Sequence, residues 1–302
     1  MKLRSLLSVL IATCALNCFG AKITAHRGEV AEGYNFWLSE PDDSSSKKPV
    51  IIFLHGQSLC GNDLNKVKRY GTIDAIEKGR DIDAYVIAPQ NPGGQWNPSK
   101  VMNVLEWVES KYNIDTDRVY VIGMSLGGYG TMSFAHAYPD KVAAAIAMCG
   151  GNTNKDSSPL NDVPLWIIHG TGDRDVSVAK SDQVVESMKA ANPSTPRLQY
   201  DRIPGMNHSK PARVFYMPET YEWLLKHNLK DEGRPISETF ELSETQWSNA
   251  YKNLNFSGSR KKASAKSTAK TGKDKKKSST KKTSSKKKTS SKKKTSSKKK
   301  KK

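Results

Sequence analysis

Short runs of apolar residues recur through the middle of the chain with a spacing that predicts buried strands. Val50-Ile51-Ile52-Phe53-Leu54, Ala84-Tyr85-Val86-Ile87-Ala88, Val119-Tyr120-Val121-Ile122, Val142-Ala143-Ala144-Ala145-Ile146-Ala147-Met148 and Pro164-Leu165-Trp166-Ile167-Ile168 contain no charged residue. Such runs suit strands covered on both faces. Leu198-Gln199-Tyr200-Asp201-Arg202-Ile203 reads as one more strand. Between these runs the spacing becomes helical. Val101, Val104, Leu105 and Val108 fall at i, i+3, i+4 and i+7, which predicts an amphipathic helix from Ser99 to Tyr112 with Ser99 as its cap. Further helices are expected from Gly128 to Tyr138, where Pro139 stops the run, from about Val178 to Ala191, and over Tyr221 to Lys226. Strands alternating with helices argue for a mostly parallel sheet with helices on both faces.

One joint between these elements carries chemistry. Gly123-Met124-Ser125-Leu126-Gly127 is a G-x-S-x-G pentapeptide between the run ending at Ile122 and the helix that follows. Strand before and helix after mark it as a nucleophile elbow, with Ser125 on a sharp, strained turn. The flanking glycines are needed because a Cβ on either side would collide with neighbouring main chain.

Behind such an elbow the acid and the histidine follow in chain order. His26, His55, His136 and His169 precede the acid, so only His208 and His227 fit. His227 ends a helical run and reads as a solvated helix-end residue. His208 lies in the turn-rich loop Pro204-Gly205-Met206-Asn207-His208-Ser209, directly after a strand, and is the expected base. Two aspartates after Ile168 compete for the acid, Asp173 and Asp175. Asp173 follows Gly172, which permits a tight turn, and spacing together with family likeness favours it; either could instead cap the helix near Ser177. The oxyanion needs two backbone N–H groups, and these are expected from Leu126 and from Gln57, in the loop His55-Gly56-Gln57-Ser58-Leu59-Cys60-Gly61 after an earlier strand. His55 is then structural.

Residues Lys47 to about Leu229 resemble the esterase and phospholipase-carboxylesterase branch of the α/β-hydrolase superfamily, close to secreted feruloyl-esterase-like and dienelactone-hydrolase-like proteins. The resemblance rests on Phe53-Leu54-His55-Gly56 with Gly61-Asn62-Asp63, on Asp117 through Gly130, on Cys149-Gly150-Gly151, on His169-Gly170-x-x-Asp173-x-x-Val176, and on Gly205-x-x-His208. It implies an α/β-hydrolase fold and a serine carboxylesterase, with acetyl or feruloyl esters on carbohydrate favoured. It leaves the substrate open, since related folds host esterases, thioesterases and peptidases. Gln57-Ser58-Leu59-Cys60 departs from the smaller, glycine-rich oxyanion loop common in the branch. A serine peptidase of small peptides is the enzyme alternative; no acidic pair or added propeller that would hold a peptide amino terminus is evident. An anchoring protein with a decayed hydrolase domain is the other, and an intact serine, acid and histidine argue against it.

The segment from Gly151 to Val163 is too short for a large cap, which predicts an open cleft. Asn91-Pro92-Gly93-Gly94-Gln95-Trp96-Asn97-Pro98 could present Trp96 as a platform for a sugar or aryl ring, or staple its loop to the next helix. The histidines lack metal-ligand spacing, no glycine-rich phosphate loop is present, and serine chemistry requires no cofactor.

Charge changes the picture only at the ends. The whole chain of 302 residues carries a formal +19, yet Arg260 to Lys302 holds 22 basic residues against the single acid Asp274, so the remainder is close to −2. The basicity belongs to this tail alone. Its composition of Lys, Ser and Thr predicts a disordered polycation that binds anionic polymers or a membrane surface by counterion release, without nucleic-acid sequence specificity; a merely solubilising tail is the alternative. At the other end, basic Met1-Lys2-Leu3-Arg4, the apolar stretch Leu6 to Leu16 and small residues near Gly20-Ala21 read as a secretory signal, implying a secreted or envelope protein. The expected organisation is therefore signal peptide 1–20, catalytic domain 21–230, appendage or linker 231–258 and tail 259–302. Cys14 and Cys18 raise a lipoprotein alternative, although neither sits in a good lipidation box. Cys60 and Cys149 remain after processing, as a bridge or as two buried thiols.

Overall fold

The computed structural model describes residues 21–236 and 238–256. The expected signal peptide and basic tail lie outside the described residues. Eight described strands form one sheet: β1 (Ile23–His26), β2 (Phe36–Ser39), β3 (Lys48–Leu54), β4 (Tyr85–Pro89), β5 (Ile114–Met124), β6 (Ala144–Met148), β7 (Leu165–Gly170) and β8 (Leu198–Ile203). Their order is β1-β2-β4-β3-β5-β6-β7-β8. From β4 to β8 every pairing is parallel; β1 and β2 add an antiparallel edge.

Six described helices cover the sheet: α1 (Thr72–Glu77), α2 (Pro98–Glu109), α3 (Leu126–Ala137), α4 (Ala179–Ala191), α5 (Pro218–Leu225) and α6 (Glu244–Asn249). Successive strand residues point to opposite faces, so each apolar run feeds two cores. Val50, Ile52 and Leu54 of β3 pack with Val104 of α2, Phe134 of α3 and Met188 of α4 in one cluster. Ile51 and Phe53 join Ile73 of α1, Leu224 of α5 and Trp247 of α6 in the other. Uninterrupted apolar sequence is what a doubly covered strand requires.

The helix boundaries differ from the expectation in one instructive way. The cap of α2 is Asn97, whose Oδ1 accepts the N–H groups of Ser99 at 2.9 Å and Lys100 at 3.2 Å, with Pro98 opening the helix. Proline has no N–H to leave unsatisfied at that position. Ser99 is therefore inside the helix. His227 is also corrected: it is buried, its Nδ1–H donates to the Trp223 carbonyl at 2.9 Å, and its own carbonyl accepts the Tyr120 hydroxyl at 2.7 Å.

Beyond α5 the chain packs back onto the domain. Trp247 is 1% exposed, its carbonyl accepts from Arg213 at 2.9 Å, and Lys210 pairs with Glu244 at 3.0 Å. No described helix is long and apolar enough to cross a membrane.

Candidate active site

Ser125, the Gln57 loop, Asp173 and His208 all lie just past the carboxyl ends of parallel strands, β5, β3, β7 and β8 respectively. Open α/β sheets place ligands along that edge. Ser125 holds φ 59° and ψ −123°, in the region that favours glycine. Such a conformation costs on the order of 1–3 kcal/mol and survives only where the surroundings enforce it. Here they do: the Ser125 N–H donates to the Met148 carbonyl of β6 at 2.8 Å. A Cβ on Gly127 would lie 1.8 Å from the Leu54 carbonyl oxygen, and one on Gly123 2.3 Å from the Gly127 carbonyl oxygen. The elbow is thus wedged against β3, and only glycine fits at either side.

Asp173 sits in the turn after β7 with its side chain fully buried. Its Oδ1 accepts the backbone N–H groups of Asp175 and Val176, each at 2.9 Å, and its Oδ2 accepts His208 Nδ1–H at 2.7 Å. Burial alone would push this carboxyl up, but hydrogen bonds from Val176, His208 and Asp175 outweigh it and hold the group below the usual carboxylate range. The carboxylate can only accept, so Nδ1 of His208 carries the hydrogen. That leaves Nε2 of His208 with a lone pair to take a proton. Asp175 contributes its N–H to Asp173 while its own side chain is exposed at the mouth of the cleft.

Ser125, Gln57, Tyr70, Asp175, Val176 and His208 line a single open cleft of about 790 Å³. Leu126 is the first residue of α3, directly after Ser125, so its N–H has no partner within the helix. Gln57 opens a short 3-10 turn, and among the described residues no acceptor engages its N–H. The Gly56 N–H beside it is already taken by the Tyr70 hydroxyl at 3.1 Å. Tyr70 was invisible in the sequence because a single tyrosine in a loop belongs to no motif. It braces the loop that carries Gln57.

Trp96 lies elsewhere than on the cleft. It is 4% exposed, its Nε1–H donates to the His55 carbonyl at 3.2 Å, and its ring meets the His55 ring edge-on at 4.9 Å. A Cβ on Gly130 of α3 would strike the same ring at 2.6 Å. The platform expectation is corrected: an indole clamped between α3 and His55 has no face to offer a sugar.

His55 is buried and structural. The Asn91 N–H donates to its Nε2 at 3.0 Å, so Nδ1 carries the hydrogen and donates to the Gly56 carbonyl at 2.8 Å. Burial lowers its pKa to about 4, against the pull of the Gly56 carbonyl. In the unfolded chain the ring titrates near 6.5, so between about 6.5 and 4 the unfolded state binds a proton that the native state refuses. Stability therefore falls as pH drops through that window, by about 3 kcal/mol when complete. Buried His169 and His227 are shifted in the same direction. Urea midpoints measured from pH 7 to pH 4 are expected to decline, less steeply in His55→Asn; an equal slope in that variant would contradict the assignment.

Cys60 and Cys149 are free thiols. Cys149, at the end of β6, lies so close to Asp173 and His208 that one potential ligand atom from each falls within 4.8 Å of the others. Nothing in the sequence spacing hints at this trio. Its atoms are engaged with one another, since His208 Nδ1 donates to Asp173 and the Cys149 thiol, pushed up by burial, also faces that carboxylate.

Residues 32–215 match the family model named Esterase. The chain belongs to this esterase family. Acetylxylan esterase A of Emericella nidulans is 37% identical over 162 residues, covering 46% of this chain and 49% of that protein. A bifunctional acetylxylan esterase/xylanase of Neocallimastix patriciarum is 25% identical over 160 residues, 50% of this chain and 23% of that protein. This esterase-family chain thus spans half or less of the length of these curated relatives. Among solved structures, a thermostable esterase superposes with a TM-score of 0.55 at 23% identity, covering 69% of this chain and 63% of that one. That likeness bears on the α/β-hydrolase fold.

Proposed function

We propose that the chain is a serine carboxylic ester hydrolase. The observation that carries this reading is a strained Ser125 sharing one cleft with a His208–Asp173 pair joined at 2.7 Å. Ser125 Oγ attacks the ester carbonyl while His208 Nε2 accepts its proton. Asp173 holds the ring in the Nδ1–H tautomer and stabilises the imidazolium that forms. The N–H groups of Leu126 and Gln57 receive the oxyanion. Collapse expels the alcohol, protonated by His208, and leaves an acyl-enzyme on the serine that water hydrolyses by the same steps in reverse order.

The names of the curated relatives favour an acetyl group on xylan as substrate, and an open cleft of about 790 Å³ suits an acyl group carried on a polymer. A panel of acetylated xylan, feruloyl ester, butyryl ester and aminoacyl amide tests this. Release of acetate from xylan well above the others is expected; amide cleavage in preference to every ester would favour a peptidase.

Export and polymer contact complete the proposal, resting on the sequence of residues 1–20 and 259–302. Deleting Arg260 to Lys302 should leave turnover of a small soluble ester unchanged and abolish retention on a sulfated or carboxylated resin at low salt. An equal loss of small-ester turnover would contradict a purely electrostatic tail.

A further inference from the structure

A second buried histidine touches the same carboxylate oxygen as His208. His169, the penultimate residue of β7, is wholly buried, and its Nε2 lies 2.9 Å from the Val176 carbonyl and 3.3 Å from Asp173 Oδ2. Its Nδ1 lies 2.8 Å from Ser181 Oγ on α4. A carbonyl and a carboxylate can only accept, so Nε2 carries a hydrogen and shares it between them. Burial disfavours the charged ring, with the Val176 carbonyl and Asp173 pulling the other way. In the neutral ring, the Nε2–H tautomer, Nδ1 shares the single Ser181 hydroxyl hydrogen with the Gly150 carbonyl, to which Ser181 donates at 2.9 Å.

We infer that His169 is a positioning residue for ester hydrolysis: its Nε2–H holds Asp173 Oδ2 in line with His208 and draws charge from that oxygen. The inference rests on the hydrolase reading above. Val176 closes the arrangement from both sides, since its N–H donates to Asp173 Oδ1 while its carbonyl accepts from His169. Acid and second histidine therefore lock one turn, and the acid cannot rotate without breaking four hydrogen bonds at once. Other ionisable groups facing the cluster are Cys149 from β6, Tyr129 from α3 and Asp182 from α4, with Asp175 and Arg174 at the exposed turn. All of them are unchanged by substitution at His169.

Two amides separate positioning from packing. In His169→Gln the side-chain nitrogen reaches the level of Nε2 and can still donate to Oδ2. In His169→Asn it reaches only the level of Nδ1, keeping the Ser181 side and losing the Asp173 side. Without that donor the carboxylate concentrates its charge on His208. The His208 Nδ1–H resonance of ¹⁵N-labelled full-length protein is then expected to move downfield in His169→Asn and to stay near wild type in His169→Gln. The acid limb of kcat/KM should move up by about half a pH unit in the Asn variant, roughly threefold in rate on that limb, with kcat about tenfold lower and KM little changed. An Asn variant that melts lower yet keeps both the resonance and the acid limb, or a Gln variant altered as much as Asn, would reduce His169 to core packing. Should the Asn variant fail to fold, the wild-type imidazole spectrum decides: a His169 ring protonated at Nδ1 alone overturns the inference. The resonances need no turnover, so an inactive wild type would remove the hydrolase reading without touching the test of this geometry.

Discussion

Replacing Ser125 with alanine is expected to lower kcat toward an activated ester on the order of a hundred-thousand-fold while leaving the protein folded. The substitution deletes only Oγ. The Cβ, the positive φ and the N–H bond to Met148 all remain, so the elbow keeps its strain and its supports, and stability should change by no more than about 0.5 kcal/mol. With the proposed nucleophile gone, His208 and the two N–H groups of the proposed oxyanion site would still polarise a carbonyl and direct water at it, which sets the expected residual rate. Burst and steady-state release of nitrophenol from an acetyl ester, with a thermal melt alongside, reads both quantities. Wild-type turnover in the alanine variant would place the chemistry on another residue.

Asp173→Asn should cost on the order of ten-thousand-fold in kcat, far more than Asp175→Asn, which is expected to stay within about threefold. The asymmetry follows from what each carboxylate touches. The amide introduced by Asp173→Asn can present its oxygen to the Asp175 and Val176 N–H groups as Oδ1 does now. Its nitrogen then faces His208 Nδ1, where two donors meet. The ring escapes by protonating Nε2 instead, which removes the lone pair that must accept the serine proton. Asp175 holds Asp173 only through its backbone N–H, which survives the substitution. Parallel kcat/KM measurements on the two variants check this, and a larger loss at position 175 would move the acid there.

Much of this was legible in advance because the core of the sheet is written in uninterrupted apolar runs. β3 through β7 were visible that way, since strands covered on both faces can hold no polar alternation to confuse with a surface element. β8 showed as a short mixed run before a turn-rich loop. The edge did not show. β1 and β2 are four residues each and partly polar, with His26 and Ser39 at their ends, so no run marks them; they exist because β2 pairs with β4. Ser125 and His208 could be proposed from turn chemistry and chain order, and Asp173 over Asp175 from spacing together with family likeness; the structure brings Asp173 and His208 into contact across 35 positions. Tyr70, Cys149 and His169 could not be given roles that way, because their significance is tertiary: each acts through a contact with a loop or carboxylate distant in sequence. Trp96 shows the converse error. Its glycine- and proline-rich loop reads as surface, yet Gly130 leaves a hollow in α3 that the indole fills.

The proposed activation of Ser125 by His208 and Asp173 can be tested on the protein itself, without any choice of substrate. A nitrophenyl phosphonate transfers its phosphonyl group to an activated serine and releases nitrophenol, and mass spectrometry of the treated protein locates the adduct. One adduct per chain is expected, on the peptide containing Ser125, absent in Ser125→Ala and strongly slowed in Asp173→Asn. Ester hydrolysis by a protein that forms no adduct at Ser125, or that is labelled at another side chain, would contradict a serine nucleophile at the elbow.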